Sequence, residues 1–202
     1  MAIQFTAEVS WKEDFSPPRL NFHPGFPGES PSAFRSELPR RLEQQLAHCQ
    51  LVLERIDRCL YWFQGGDIDA ARMSDTSKRW RAWGDLTVGR LIAERVRVQE
   101  YVLALQSLSA DNFAMLGPQT NMISLRPMQE LRGGQQSAIP LALAKKYLDR
   151  CVEENRSTPW QFMAQRELEH PAGLMINQSY VPQPKFIAPA APPRPQIQLP
   201  RL

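Results

Sequence analysis

Glu167 and His170 come closest in this chain to a metal-binding or catalytic motif. A glutamate followed three residues later by a histidine puts two metal ligands on one helix face, as in carboxylate-bridged di-iron bundles. Such a site needs a second pair and two more glutamates on facing helices, and neither His23 nor His48 has a glutamate three residues before it. His170 also precedes Pro171 at a predicted helix end, where the helix dipole favours a cation. We therefore predict no metal site.

The three cysteines, Cys49, Cys59 and Cys151, predict neither a zinc site nor a disulfide framework. Zinc sites usually pair cysteines two to four residues apart, whereas the nearest two cysteines here are ten residues apart. Their odd number favours a reducing compartment, and Cys49 fits a buried apolar stripe. The glycine pairs at 65–66 and 133–134 lack the spacing of a nucleotide loop, and no nucleophile elbow or His-Glu-x-x-His run occurs. We predict a non-enzymatic protein without a cofactor, and an enzyme with an unrecognised site is the alternative.

A predicted helix over residues 76–108 carries basic residues interleaved with aromatic ones. Single-stranded nucleic acid contacts such surfaces through its phosphates and stacked bases. The candidate partner-binding residues on this helix are Arg79, Arg81, Arg90 and Arg97. Asp85, Glu94 and Glu100 are interspersed with them, so ion pairing on a solvated face explains much of the pattern.

The proline-rich C-terminal tail is a second candidate binding segment. Proline pre-sets the extended left-handed helix that aromatic grooves recognise, and a neighbouring arginine can supply a charge contact. The residues of this motif are Pro189, Pro192, Arg194 and Pro195. The alternative is that the tail is only a spacer.

Two long helices are predicted to position these residues. The first begins at Pro39, which can occupy a first helical turn, and ends at about Gln64. Its apolar residues recur at alternating spacings of four and three: Leu42, Leu46, Cys49, Leu53, Ile56, Leu60 and Phe63. This stripe predicts an antiparallel hairpin with the helix at 76–108, or alternatively a coiled-coil dimer between chains.

The second long helix is apolar on more than one side, which predicts that it lies centrally. Gly84, Gly89 and Ala93 are small positions where a neighbouring helix can approach closely. We predict that three of the tryptophans in the helical region belong to the core: Trp80, Trp83 and Trp160.

A shorter helix pair is predicted after a long loop over residues 110–136. Its first helix spans about residues 137–155. In the second helix Thr158 is the N-cap and Pro159 the first helical residue, and His170-Pro171 ends it.

Strand signals are few. Apolar and polar residues alternate over residues 3–11, which predicts a half-buried strand, and residues 122–125 are a candidate partner. The alternative is that the strand at 3–11 adds to the sheet edge of another molecule.

The 18 prolines define the domain organisation. Six lie at or before Pro39 and seven at or after Pro182, which leaves five in the middle. We predict a strand and an extended connector over residues 1–38, a mainly α helical domain over 39–175, and a disordered tail over 176–202.

Overall composition constrains the partners only weakly. The net charge is +3, less than a dedicated DNA-binding domain usually carries. No apolar run is long enough to span a membrane, and the first eleven residues lack the pattern of a signal peptide. A cytoplasmic location is predicted.

Two segments carry a resemblance to known architectures. Residues 144–168, with the turn at Thr158-Pro159, resemble one helix-turn-helix unit of tetratricopeptide-like repeats. Residues 79–97 (RWRAWGDLTVGRLIAERVR) anchor the second resemblance, together with Glu100-Tyr101, Asn121, Thr158-Pro159-Trp160 and Arg166-Glu167-Leu168. They look like a helical region in large bacterial proteins that also carry von Willebrand factor type A domains.

This second resemblance covers about residues 40–175 and implies an accessory helical module. The adhesion domain itself is not recognisable, because its metal site needs Asp-x-Ser-x-Ser after an apolar strand. Here Asp75-Thr76-Ser77 is followed by Lys78-Arg79. The resemblance therefore implies no metal-binding or catalytic residue.

Together these patterns predict a protein-interaction or scaffold module that binds a protein through its helical surface or its tail. The tetratricopeptide-like pair supports this only by analogy. Nucleic-acid binding through the helix at 76–108 is the alternative.

Overall fold

The structure is a computed structural model that describes residues 18–25, 29–64, 68–110 and 116–182. In these residues it contains five helices and a small three-stranded sheet, which confirms the predicted mainly α fold. The elements in chain order are β1 (Asn21–Phe22), α1 (Pro31–Gln64), α2 (Ile68–Ser74), α3 (Lys78–Ala110), β2 (Met122–Met128), α4 (Gln135–Glu154), α5 (Pro159–Glu169) and β3 (Gly173–Ser179). The strand predicted at 3–11 and the tail residues Pro189, Pro192, Arg194 and Pro195 lie outside the described residues.

The two long helices, α1 and α3, form the predicted antiparallel hairpin. Near the end of α1, the ring of Phe63 contacts that of Trp83. Two turns earlier on α1, Asp57 meets Arg95, which lies further along α3, at 2.5 Å. Because earlier positions of α1 face later positions of α3, the helices run in opposite directions. The apolar stripe of α1 lies in the core of this chain, with Leu46, Leu53 and Phe63 at its margin.

The first helix begins two turns before the predicted start. Pro31 is its first residue, and the hydroxyl of Ser30 accepts a hydrogen bond from the Ala33 amide at 3.1 Å, as an N-cap does. Phe34 and Leu38 are fully buried and continue the apolar stripe toward the N-terminus. The prediction that Pro39 opens the helix was wrong, because this proline lies inside it. The helical region therefore extends into residues predicted to be connector.

The shorter helix pair, α4 and α5, is confirmed. Thr158 caps α5 by accepting a hydrogen bond from the Gln161 amide, and Pro159 occupies the first turn. A small core joins this pair to α3, and its fully buried members Ala82, Cys151 and Ala164 have short side chains that let the three helices approach closely.

The small sheet corrects the predicted C-terminal boundary. β2 is the central strand and pairs antiparallel with β1 and β3, so that Ile123 lies between Phe22 and Gln178. Among the described residues, the partners of β2 are these two strands. Residues 176–179 belong to β3, although they were predicted to be disordered tail. β3 pairs with β2 over seven residues, and this ladder offers β3 backbone hydrogen bonds that an isolated tail would lack.

The segment before α1 is also held in place, although it was predicted to be only a connector. The hydroxyl of buried Tyr101 donates to the carbonyl of Arg19 at 2.7 Å. Arg41 donates to the carbonyl of His23 at 2.8 Å and pairs with the buried carboxylate of Glu29. Residues 18–25 thus belong to the packed unit.

Glu100 fixes the turn that leads into α4. It is fully buried, and its two carboxylate oxygens accept hydrogen bonds from the amides of Arg132, at 2.6 Å, and Gly133, at 2.9 Å. Gly134 follows with a φ of 51°, which a residue without a β-carbon adopts readily. A buried carboxylate is costly unless it is hydrogen-bonded, so these bonds tie α3 to the start of α4.

None of the helices in the described residues combines the length and the apolar character that crossing a bilayer requires.

Two glycines of α3 provide a test of close helix packing. A β-carbon on Gly89 would lie 2.7 Å from the side chain of buried Leu148 and 3.2 Å from the carbonyl oxygen of Ala144 on α4. A β-carbon on Gly84 would meet nothing within 4 Å. We expect Gly89→Ala to lower the free energy of unfolding by about 1–3 kcal/mol through overpacking.

Gly84→Ala is the matched control. It should raise the free energy of unfolding by up to about 1 kcal/mol, because alanine favours a helix over glycine. Urea denaturation of both variants measures these effects, and equal effects of the two substitutions would contradict the close packing of α3 on α4.

Candidate functional site

Two of the four predicted arginines have structural roles. Arg90 and Arg97 both pair with Glu167 of α5, at 3.3 Å and 2.5 Å, and Arg97 also contacts Glu94. These ion pairs join α3 to α5, and the Glu167 side chain is largely buried beneath them. These contacts are of the kind that the interspersed acidic residues indicated, and Arg90 and Arg97 are thus candidate binding residues that already have an acidic neighbour.

The other two arginines lie at the start of α3. Arg79 is exposed, and Arg81 is half-buried with a buried Nε that has no hydrogen-bond partner. A polar cleft of about 210 Å³ lies beside Arg81, and it is lined by Lys78, Arg81, Glu154 and Asn155. The basic character of α3 is thus concentrated in its first turn.

Aromatic side chains lie beside these basic residues and form a connected surface. The rings of Phe63 and Trp83 lie 5.8 Å apart and tilted, and those of Trp83 and Trp80 lie 5.8 Å apart and edge-to-face. We call Phe63, Trp80 and Trp83 the aromatic surface. Edge-to-face and tilted contacts suit the charge distribution of aromatic rings.

The aromatic surface reaches solvent through Trp80, which is 57% exposed. The prediction that Trp80 belongs to the core was therefore wrong, because the first turn of α3 extends past the helices that cover its later turns. Trp83 is half-buried within the surface, and Trp160 packs against the small core of α3, α4 and α5.

Two further aromatic residues directly precede Phe63 in the sequence, and neither was predicted to be functional. Tyr61 is 70% exposed and Trp62 is 64% exposed at the end of α1. The sequence contained a signal for them, since they fall between Leu60 and Phe63 of the apolar stripe and therefore point away from it.

A cluster of buried charges positions the first turns of α3. Asp85 is only 2% exposed, and its carboxylate pairs with Arg72 of α2 at 2.9 Å and with Arg150 of α4 at 2.5 Å. Arg150 also binds Asp69 of α2 at 2.8 Å, and this hydrogen bond lowers the pKa of Asp69. The cluster joins three helices, so removing one buried partner would leave uncompensated charge in the interior.

The residues considered for metal binding have other partners. Glu167 binds the two arginines described above, and Nδ1 of His170 lies 2.7 Å from the carbonyl oxygen of Arg166. Among the residues that the structure describes, no three histidine, cysteine or acidic side chains are grouped closely enough to hold a metal ion.

A second cavity, of about 270 Å³, lies between α3, α4 and α5. Apolar side chains such as Leu141 and Leu168 form much of its wall, and its polar residues include Arg97 and Glu167. Because these two already pair with each other, the cavity has a weaker polar signature for a ligand than the start of α3 has.

Comparison with known proteins found no match: neither a family model, nor a curated protein, nor a solved structure is significantly similar to this chain. The candidate site is therefore defined by its geometry alone.

The cysteines provide a chemical test of the interior. Cys49 and Cys151 are buried, and burial raises the pKa of each thiol to about 11. Both should remain protonated and protected at about pH 8, because the reactive thiolate forms only as the pH approaches their pKa. Cys59 is half-buried. We expect one thiol per folded chain to react rapidly with an aromatic disulfide reagent.

In denaturant all three thiols should react. Cys59→Ser is the control, and it should remove the rapid phase in the folded protein while leaving two thiols that react after unfolding. Rapid reaction of two or more thiols in the folded chain would contradict the burial of Cys49 and Cys151.

Proposed function

We propose that this chain is a non-enzymatic protein-interaction module that binds an apolar or proline-rich segment of a partner on the aromatic surface. The supporting observation is the exposure of Trp80 on a surface whose other rings connect it to the core. Large aromatic side chains that are exposed but rigidly supported are typical anchors of protein interfaces. Aromatic surfaces also accept proline-rich segments.

The exposed part of Trp80 can supply substantial binding energy. A tryptophan side chain can bury up to about 250 Å², and 57% of Trp80 is exposed. At about 25 cal/mol per Å², covering it would contribute at most about 3.5 kcal/mol. One such residue can dominate an interface, because a few residues usually carry most of the binding energy.

A scaffold role fits the rest of the molecule. The ion pairs of buried Asp85 and the shared core of α3, α4 and α5 hold the first turns of α3 in place. Binding there therefore loses little conformational entropy, because the surface is already ordered. As part of the same proposal, the module is cytoplasmic, because its odd number of cysteines favours a reducing compartment. The resemblance to helical regions of large bacterial proteins with von Willebrand factor type A domains remains a proposal of the same kind.

Nucleic-acid binding is the second candidate. The observation that favours it is the position of exposed Trp80 between Arg79 and Arg81, next to Lys78. A base could stack on the ring while the basic side chains contact phosphates. Because Arg90 and Arg97 already pair with Glu167, the basic residues without such a pairing partner across the helix interface lie in about one turn of α3.

We expect Trp80→Ala to weaken partner binding about 10- to 100-fold while leaving the fold intact, because the side chain is mostly exposed. The full chain and the variant are immobilised, and proteins captured from a lysate are quantified by mass spectrometry. A protein depleted by the substitution is then purified, and its dissociation constant is measured by calorimetry.

Phe162→Ala is the matched control, since Phe162 is a similarly exposed aromatic residue, at 66%, on a different helix, α5. Its capture profile should equal that of the unchanged chain. If Trp80→Ala and Phe162→Ala deplete the same proteins equally, the aromatic surface is not the binding site.

The two candidates differ in their response to salt. If nucleic acid binds at the start of α3, the affinity for a labelled single-stranded oligonucleotide should fall steeply with added salt. Arg79→Gln should then weaken binding and reduce the salt slope by about 1, whereas Arg90→Gln should have little effect because Arg90 pairs with Glu167. Fluorescence anisotropy measures both effects, and our leading proposal expects no binding of this kind.

A further inference from the structure

The basic residues beside Trp80 have no acidic partner among the described residues. Lys78, Arg79 and Arg81 flank Trp80 within the first turn of α3. The three arginines further along the same helix each pair with an acidic side chain. In the part of the chain that the structure describes, the ion pairs around the start of α3 include none of the three basic residues beside Trp80. Their charge is therefore available to a partner.

The acidic side chains near the start of α3 already have other partners. Glu154, which lines the polar cleft, pairs with Arg72 of α2. The buried carboxylate of Asp85 pairs with the same arginine at 2.9 Å. Asp75 accepts a hydrogen bond from the Ser77 amide at 2.8 Å. A counter-charge for the first turn must therefore come from outside these carboxylates.

The unpaired charges also lie at the positive end of a helix. The backbone amides of a first helical turn carry partial positive charge, which favours acidic residues there and disfavours cations. The first turn of α3 contains no acidic residue. An anion bound from outside would relieve the repulsion that this arrangement creates.

We infer that the partner segment carries acidic residues next to its apolar anchor. This inference rests on the aromatic surface named in the proposed function, and it adds the charge of the partner. The anchor covers Trp80 while one carboxylate enters the cleft of about 210 Å³ beside Lys78 and Arg81. A second carboxylate meets exposed Arg79. Hydrogen bonds between arginine and carboxylate are stronger than those between neutral groups.

The dimensions of the site fit a short peptide segment. Four consecutive helical residues rise only about 5 Å along the axis, and two residues of an extended segment span about 7 Å. An acidic residue beside an apolar one can therefore reach both the cleft and the ring of Trp80. Single-stranded nucleic acid instead needs a basic groove that follows its phosphates, whereas these cations occupy a single turn.

Charge attraction predicts a moderate response to salt. The affinity for an acidic peptide should fall with added salt, because the ions screen exposed charges. The fall should be shallower than for nucleic acid, since a short peptide has no condensed counterions to release.

The test begins with a random peptide display library selected on the immobilised full chain. The selected peptides should contain an apolar or aromatic residue with aspartate or glutamate beside it, more often than the unselected library does. Selection on Trp80→Ala should not recover these peptides, because they need both the ring and the cations.

A double substitution then tests the charges. Lys78→Gln combined with Arg79→Gln should weaken the binding of a selected acidic peptide about 2- to 30-fold, because each exposed charge pair contributes modestly. Both side chains are exposed, so the fold should persist. Arg126→Gln combined with Lys145→Gln is the matched control, since it removes two exposed positive charges from β2 and α4. Fluorescence anisotropy of the labelled peptide should show little change for this control.

Selected peptides that need Trp80 but have no excess of acidic residues would overturn the inference and leave the proposed function standing. Equal weakening by the two double substitutions would also overturn it, since the effect would then come from overall charge. Tighter binding of a single-stranded oligonucleotide or of phosphatidylglycerol vesicles than of the acidic peptide would assign the cations to phosphate groups and overturn it as well. If no selected peptide depends on Trp80, both the inference and the proposed function fail.

Discussion

The structure depends on one packing constraint: α3 must be covered on several sides along most of its length. Gly89 brings α4 into close approach, and the apolar stripe of α1 covers another side of the helix. Because both neighbours pack against the same 33-residue helix, much of its surface is buried between them. The coverage ends at the first turn, and the side chains there are left on the surface. The exposure of Trp80 follows from the geometry that buries the rest of α3.

Polar groups in the interior strengthen the same constraint. Asp85 holds the first turns of α3 to α2 and α4, and Glu100 holds the middle of α3 to the turn before α4. Each carboxylate is buried, so moving a helix would leave it without its partners, at a cost of several kcal/mol. Hydrophobic packing alone would tolerate some sliding between helices. These directional contacts set the register and hold Trp80 in a fixed position relative to Phe63.

The sequence predicted the elements that rest on local periodicity. The hairpin, the short helix pair and the Thr158 cap depend on spacings and capping residues that lie close together along the chain. Pro39 misled the prediction of the helix start, because proline is expected in a first turn and this one is tolerated inside the helix. The apolar residues Phe34 and Leu38 were the better signal, since they lie eight and four residues before Leu42 and therefore share its helix face.

The features that the sequence missed depend on pairings between distant residues. Glu167 can pair with Arg90 and Arg97 only because α5 lies beside α3. Counting the basic residues along the sequence does not show that this acidic partner is near them. Residues 176–179 of β3 were predicted to belong to the tail. The composition of this segment does not show that β2 lies beside it and can pair with it. Trp80 was predicted to lie in the core because tryptophan side chains are mostly buried on average. Whether one particular tryptophan is buried depends on where the neighbouring helices end.

The same reasoning explains why the start of α3 is a better candidate for binding than the rest of the molecule. Exposed apolar residues scattered singly are common on proteins and need no function. Trp80 differs because its ring contacts Trp83, which contacts Phe63 at the margin of the core, and because the Asp85 cluster fixes the helix beneath it. A partner that covers Trp80 therefore gains apolar burial without having to order the surface first. An exposed residue such as Phe162, without a comparable connected series of rings in the described residues, offers only its own area.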